Sequence, residues 1–206
     1  MFEDLIQRTK GMDSPTSLPE RRWLWIYASL AISDDAEAKC VVECGTLNGI
    51  STLFLADGLK EGLKNSSETG YKVITIDNYS NPDKAIDTNS PQQNRELFHR
   101  FGYDHLVELV EHDDVAYLET LPDRSIKVAF VDSFHDEGHV SKVLNAIEPK
   151  MANNSILTCH DYFFRHSGVV YAVNDWLERV SPGYIGGIGQ HETLWWAVIR
   201  RKDRTK

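Results

Sequence analysis

The chain has 206 residues, of which 41% are hydrophobic and 26% charged, and this balance is typical of one globular domain with its own core. Its net charge of −9 disfavours binding to nucleic acid, and no apolar run approaches the roughly 18 residues of a membrane span. The three cysteines cannot all pair within the chain, and the acidic segment MFEDLIQRTK does not resemble a secretion signal, so a reducing, cytoplasmic location is expected.

Helical and strand patterns alternate along the chain. Ser17 followed by Pro19 and Glu20 predicts a helix over 17–32, and the apolar run KCVVEC predicts a buried strand over 39–44. Further helices are predicted from Gly49 to 63 and over 90–102, 114–122, 137–151 and 168–180, and further strands over 71–78, 105–113, 126–133 and 155–161. Two final strands, over 184–189 and 193–200, form a hairpin in which Trp195 and Trp196 face opposite sides of the sheet.

This alternation predicts an α/β fold with a mostly parallel, doubly wound sheet and an antiparallel hairpin at its edge. One connection, residues 78–91, is long for a link between a strand and a helix. It is predicted to be either a lid over the site or a flexible surface loop.

Polar residues end all five of the strands that precede the hairpin. They are Glu43, Asp77, Asp113, Asp132 and the pair His160 and Asp161. Ligands of parallel α/β sheets bind outside the carboxyl ends of the strands, so we expect these side chains to border one site.

The loop after the first strand reads Glu-Cys-Gly-Thr-Leu-Asn-Gly over residues 43–49. It lacks the G-x-G-x-x-G pattern of dinucleotide-binding loops and the Gly-Lys-Ser/Thr ending of a P-loop. Glu43 would repel a diphosphate, whereas Asp77 at the next strand end could accept hydrogen bonds from ribose hydroxyls. The loop therefore favours a nucleoside that carries positive charge and no phosphate, a description that fits S-adenosylmethionine.

The segment VVECGTLNG resembles the E-x-G-x-x-x-G first motif of class I S-adenosylmethionine-dependent methyltransferases, and VITIDN resembles their second motif. The resemblance implies a Rossmann-like, seven-stranded sheet that ends in a hairpin. It also implies one methyltransferase domain over 1–206, with a helical cap over 1–35, the core over 36–200 and a basic tail over 201–206.

By the same resemblance, the cofactor-binding residues are Glu43, Gly45, Thr46, Gly49, Asp77 and Asp113. Glu43 and Gly45 would line the methionine part and Asp77 would hold the ribose. Asp113 would face the adenine amino group, with His112 or Asp114 as substitutes, although a role as helix N-cap fits Asp113 equally well.

The segments FVDSFHDEGH and LTCHDY resemble metal-dependent O-methyltransferases that modify sugars and catechols. The resemblance implies that Asp132, His160 and Asp161 hold a divalent cation, Mg or Mn, and that His135 is the general base. In those relatives the fifth-strand pair is usually Asp-Asp, Glu-Asp or Asp-Asn. Here it is His-Asp, and a histidine ligand favours Mn, Fe or Zn over Mg. The other interpretation of His135 is a capping or solvent-facing histidine, and a structural role is expected for His139.

The expected function is transfer of a methyl group from S-adenosylmethionine to a hydroxyl of a small molecule, such as a sugar or a phenol, with cation assistance. The alternatives are a metal-independent methyltransferase of the same fold, or a non-catalytic nucleoside-binding or metal-hydrolase domain. No nucleic-acid or membrane partner is expected, and the apolar helix within 17–32 could support a homo-oligomer.

Overall fold

A single seven-stranded sheet forms the centre of the molecule in the computed structural model, which describes residues 2–32, 38–64, 66–80, 89–180 and 184–200. Its strands are β1 (Cys40–Cys44), β2 (Lys72–Asp77), β3 (Val107–Glu111), β4 (Ile126–Val131), β5 (Met151–Cys159), β6 (Ile185–His191) and β7 (Leu194–Ile199). The strand order is β3-β2-β1-β4-β5-β7-β6; the first five strands are parallel, and β7 runs antiparallel to both β5 and β6. The predicted Rossmann-like sheet with its terminal hairpin is confirmed.

Helices cover both faces of this sheet. They are α1 (Phe2–Arg8), α2 (Leu18–Ser29), α3 (Ile50–Leu63), α4 (Pro91–Phe101), α5 (Asp114–Thr120), α6 (Glu137–Ile147) and α7 (Ser167–Arg179). Ser17 and Ser90 start α2 and α4 with reciprocal capping boxes, which satisfy backbone N–H groups that a helix start leaves unpaired. Among the described residues, no helix has the length and apolar character needed to cross a membrane.

Two hydrophobic clusters lie on opposite faces of the sheet. One packs α5, α6 and α7 against it and includes Trp195, and the other packs α1 to α4 and includes Trp196 at its margin. Successive residues of a strand point to opposite faces, so the prediction for the two tryptophans is confirmed.

The structure differs from the sequence prediction at three places. α1 lies within the helical cap expected over 1–35 but was not predicted as a separate helix, and its Leu5 is buried in the second cluster. α6 ends at Ile147, followed by a 3-10 turn that contains Pro149, and β5 begins at Met151 instead of residue 155. The predicted basic tail, 201–206, and residues 81–88 of the predicted lid lie outside the described residues.

The direction of chain progression reverses between β1 and β4. From β1 the chain continues to β2 and β3 on one side, while β4 and β5 lie on the other side. A reversal of this kind opens a crevice at the carboxyl ends of the two central strands, where ligands of such sheets bind.

Candidate active site

One cavity of about 480 Å³ occupies this crevice. Its walls come from the loop after β1, the ends of β2, β4 and β5, the start of α5 and α6, and the segment 13–16 before α2. The predicted site residues among its lining are Gly45, Thr46, Asp77, Asp132, His135 and Asp161. Residues far apart in the sequence are thus brought together at one end of the sheet.

Asp77 shapes the loop at one end of the cavity. Its Oδ2 accepts hydrogen bonds from the backbone N–H groups of Thr46 (2.9 Å) and Leu47 (3.0 Å), and its Oδ1 accepts one from Tyr79 N (2.7 Å). Gly45 has φ +96°, and a Cβ there would lie 2.2 Å from the backbone oxygen of Asp132, so no other residue fits. Asp77 therefore both fixes the loop and borders the cavity.

Glu43 lies beneath this loop and does not line the cavity, in contrast to its predicted place beside the methionine part of the ligand. It is fully buried, and its Oε2 accepts hydrogen bonds from the hydroxyls of Thr52 and Thr75. Burial raises the pKa of Glu43 to about 7, against an ordinary value of 4.5. The structure therefore gives Glu43 a supporting position under the loop, since its side chain points into the protein.

Asp114, and not Asp113, lines the cavity on the side predicted for adenine. The Asp113 side chain accepts the backbone N–H of Ala116 at 2.9 Å and caps α5, so its carboxylate is exposed and turned away. Asp114 is buried, and its Oδ2 lies 3.0 Å from Nε2 of His139. His139 also lines the cavity, and the hydrogen bond with Asp114 raises its pKa despite burial. His112 is exposed and is absent from the cavity lining.

The opposite end of the cavity holds the His–Asp cluster, which consists of Asp132, His135, His160 and Asp161. His160 Nδ1 lies 3.1 Å from Asp132 Oδ1 and 3.3 Å from Asp161 Oδ2. His135 Nε2 lies 3.1 Å from Asp161 Oδ2 and 3.7 Å from Asp132 Oδ1. Asp161 has φ +57°, a left-handed conformation that aspartate tolerates better than most residues. The segments that follow the carboxyl ends of β4 and β5 thus place two carboxylates between two imidazoles.

The charges of the cluster shift the pKa values of its members. Burial alone would raise the pKa of Asp132, but the neighbouring His160 and His135 outweigh it and lower the pKa. Burial likewise would lower the pKa of His135, but Asp132 and Asp161 outweigh it and raise the pKa. The cluster therefore favours ionised carboxylates next to positive charge.

The donor set of this cluster suits a divalent cation. One ligand atom each from Asp132, His160 and Asp161 lies within 4.8 Å of the others, and His135, Asp161 and His166 form a second such group. His135 Nε2 is also buried, and among the described residues it makes no well-aligned hydrogen bond, although it lies 3.1 Å from Asp161 Oδ2. Imidazole nitrogens mixed with carboxylate oxygens favour Mn, Fe or Zn over Mg.

Three features of the site were not predicted as functional. They are the cavity role of His139, the segment 13–16, and the contact between Glu20 of α2 and His160. Asp114 was named from the sequence as a substitute for Asp113, and only its contact with His139 was missed. The contact of Glu20 could not have been predicted, because it joins residues 140 positions apart.

Comparison with known proteins then identifies the family. Residues 42–162 match the family model described as a methyltransferase domain. The chain belongs to this family. The predicted class I methyltransferase resemblance and the predicted enzyme class are thereby confirmed, while no curated protein matches the chain in sequence.

Solved methyltransferase structures share the fold of this methyltransferase at low sequence identity. The O-methyltransferase NovP has a TM-score of 0.73 and 13% identity, over 92% of this chain and 84% of NovP. The O-methyltransferase TomG from Streptomyces achromogenes, in complex with SAM, has a TM-score of 0.65 and 16% identity, over 97% and 89% of the two chains. An O-methyltransferase from Bacillus cereus, in complex with SAH, has a TM-score of 0.63 and 15% identity, over 96% and 90%.

Proposed function

We propose that this methyltransferase transfers the methyl group of S-adenosylmethionine to a hydroxyl oxygen of a small molecule, of the sugar or phenol class, with His135 as the general base. The observation that carries the proposal is that one cavity extends from the loop held by Asp77 to the His–Asp cluster. The O-methyltransferases of similar fold support it, because TomG forms a complex with SAM and the Bacillus cereus enzyme a complex with SAH.

The loop end of the cavity suits the nucleoside and its sulfonium charge. Asp77 presents a carboxylate to ribose hydroxyls, and Gly45 lets the backbone approach the ligand closely. Asp114 offers an acceptor for the adenine amino group, and Phe134, whose ring lies edge-on to His139 with centroids 5.5 Å apart, offers an apolar face. We therefore assign the adenine contact to Asp114 in place of Asp113.

The cluster end suits activation of the acceptor. A cation held by Asp132 and Asp161 would offset the charges that favour a protonated His135, so the imidazole would be neutral. His135 Nε2 could then accept the proton of the acceptor hydroxyl while the oxygen forms its bond to the methyl carbon and the carbon–sulfur bond breaks, which leaves S-adenosylhomocysteine. Asp132, His160 and Asp161 would hold a divalent cation, which when bound supplies positive charge that favours the ionised hydroxyl. The two carboxylates keep His135 oriented towards the cavity.

Methyl transfer to a panel of sugars and phenols, followed through formation of S-adenosylhomocysteine, tests the proposal. We expect His135→Gln to lower kcat about 10²- to 10⁴-fold, the usual contribution of a general base, with unchanged affinity for S-adenosylhomocysteine. His99→Gln, at an exposed position of α4, is the matched control and should keep full activity. Full activity of His135→Gln would refute the role of His135, and no transfer to any hydroxyl acceptor would refute the proposed reaction.

A methyltransferase of the same site that needs no cation is the second candidate. It is favoured by the contacts of His160 Nδ1 with both aspartates, through which an imidazolium could neutralise them. The same assay separates the two candidates when it is repeated after treatment with a chelator. Loss of activity that Mn²⁺ or Mg²⁺ restores supports the first candidate, and unchanged activity supports the second.

A further inference from the structure

Glu20 connects helix α2 with the His–Asp cluster. It is only 3% exposed, and its Oε2 lies 3.2 Å from His160 Nε2, on the ring edge opposite the two aspartates. We propose that Glu20 is a positioning residue: it fixes the His160 ring so that Nδ1 faces Asp132 and Asp161 and completes a cation site there. The inference rests on the cation-assisted form of the proposed function.

The Glu20 carboxylate is itself held in place from several directions. Its Oε1 accepts hydrogen bonds from Thr193 N at 3.0 Å and Thr193 Oγ1 at 2.6 Å, and its Oε2 accepts one from Ser17 N at 2.9 Å. These donors come from the start of α2 and from the turn between β6 and β7, so both elements fix the carboxylate.

The contact decides which nitrogen of His160 faces the aspartates. A carboxylate only accepts hydrogen bonds, so Nε2 of His160 must carry the proton and donate it to Glu20. Nδ1 faces Asp132 and Asp161 at 3.1 and 3.3 Å, so without a cation it carries a proton as well, and a bound cation would replace that proton while Nε2 keeps its own. Histidine ligands of metals commonly donate their second N–H to a carboxylate in this way, and the partner fixes both tautomer and ring orientation.

The helix-capping role of Glu20 does not by itself require a carboxylate. A capping box accepts glutamine as well as glutamate at this position. In Glu20→Gln, the two donors of Thr193 should retain the amide oxygen at the place of Oε1. The amide NH₂ would then face His160 Nε2, which must become an acceptor and leave its proton on Nδ1, directed at the two aspartates. It would also face Ser17 N, which loses its acceptor, so the control variant must break the other half of the same capping box. This variant therefore tests the proposed role with little change in volume.

The experiment measures Mn²⁺ affinity by electron paramagnetic resonance and by calorimetry, with and without S-adenosylhomocysteine. We expect Glu20→Gln to weaken Mn²⁺ binding about 10- to 100-fold, the usual effect of losing such a partner. Ser17→Ala is the matched control, because it removes the side chain that caps α2 but keeps the contact between Glu20 and His160. Its Mn²⁺ affinity should stay within about twofold of the original chain, whose ligands it leaves intact.

A second measurement needs no variant. The ¹⁵N spectrum of the original chain, with histidine labelled and diamagnetic Zn²⁺ added, should show the proton of His160 on Nε2. A proton on Nδ1 alone, unchanged Mn²⁺ affinity in Glu20→Gln, or absence of Mn²⁺ binding to the original chain would each overturn the inference. Binding of S-adenosylhomocysteine is recorded for every variant. The proposed function predicts that all variants bind it, so loss of this binding would count against the proposed function, whereas the three outcomes above count against the role of Glu20.

Discussion

The buried carboxyl group of Glu43 makes the stability of the fold depend on pH. Its folded-state pKa of about 7 exceeds the ordinary value of 4.5, so between these values the folded chain keeps a proton that the unfolded chain has lost. The unfolded state therefore binds fewer protons, and this residue makes stability fall as pH rises through that window. Glu43→Gln mimics the protonated form. We expect its free energy of unfolding to rise by about 2 kcal/mol relative to that of the original chain when the pH is changed from 5 to 8. Urea unfolding at both pH values measures the difference.

Glu119→Gln is the control for this effect, because Glu119 is an exposed carboxylate on α5. The free energy of unfolding of this variant should stay within about 0.5 kcal/mol of that of the original chain, because substitutions at exposed positions change stability little. A constant difference for Glu43→Gln would show that Glu43 is ionised in the folded protein over the whole range.

Six of the ten predicted site residues line the cavity, but the direction of every side chain did not follow from the sequence. Asp77, Asp132 and Asp161 line the cavity because the topology of a parallel sheet brings strand ends together. Asp113 lies one position before Asp114, which faces the cavity, and Glu43 lies two positions before Gly45, where the strand has ended and the loop begins. A shift of one position turns a side chain to the other face of a strand or onto a helix end. That choice depends on packing and capping, which spacing alone does not determine.

Helices α2 and α3 pack against each other at two glycines of α3. A Cβ at Gly58 would lie 2.2 Å from the backbone oxygen of Trp25, and one at Gly62 would lie 2.4 Å from that of Ser29. Alanine is the better helix former by about 1 kcal/mol, yet here it would force the helices apart. We expect Gly58→Ala to lower the free energy of unfolding by about 1 to 3 kcal/mol, as overpacking does, measured by urea denaturation.

Gly138→Ala provides the matched comparison. Gly138 lies in α6, and its added Cβ would meet only Asp136 Oδ1 at an ordinary 3.4 Å. Helix propensity should dominate there, so this variant should be as stable as the original chain or more stable. Equal effects of the two substitutions would contradict the packing argument.

The position of a helix could be predicted from the sequence where a local signal marks the point at which the helix begins. Ser17 and Ser90 begin their helices as expected, because a hydroxyl that accepts a backbone N–H is a local signal. The start of β5 at Met151 and the helix α1 depend instead on pairing with β4 and on burial of Leu5 against α3 and α4, contacts that lie far away in the sequence.

The whole molecule divides at the crevice between β1 and β4, and the cavity takes its walls from both halves of the sheet. A ligand in this cavity contacts elements on both sides of β1, so its binding should stabilise the fold as a unit. At about 100 times its Kd, S-adenosylhomocysteine should add about 2.7 kcal/mol to stability, which raises Tm by roughly 5 to 10 °C for a chain of this length.

Asp77→Ala should abolish most of this rise in Tm, because it removes the proposed ribose acceptor and also frees the backbone N–H groups of Thr46 and Leu47, which Asp77 holds in place. Asp104→Asn, an exposed position between α4 and β3, should keep the full shift. Thermal unfolding of each variant with and without the ligand gives the comparison, and calorimetry separates weaker binding from a less stable apo protein. If the ligand raised the Tm of Asp77→Ala as much as that of the original chain, the ligand would have to bind elsewhere in the molecule. The substitution disturbs both the loop and the carboxylate at the end of the cavity that we propose for the nucleoside.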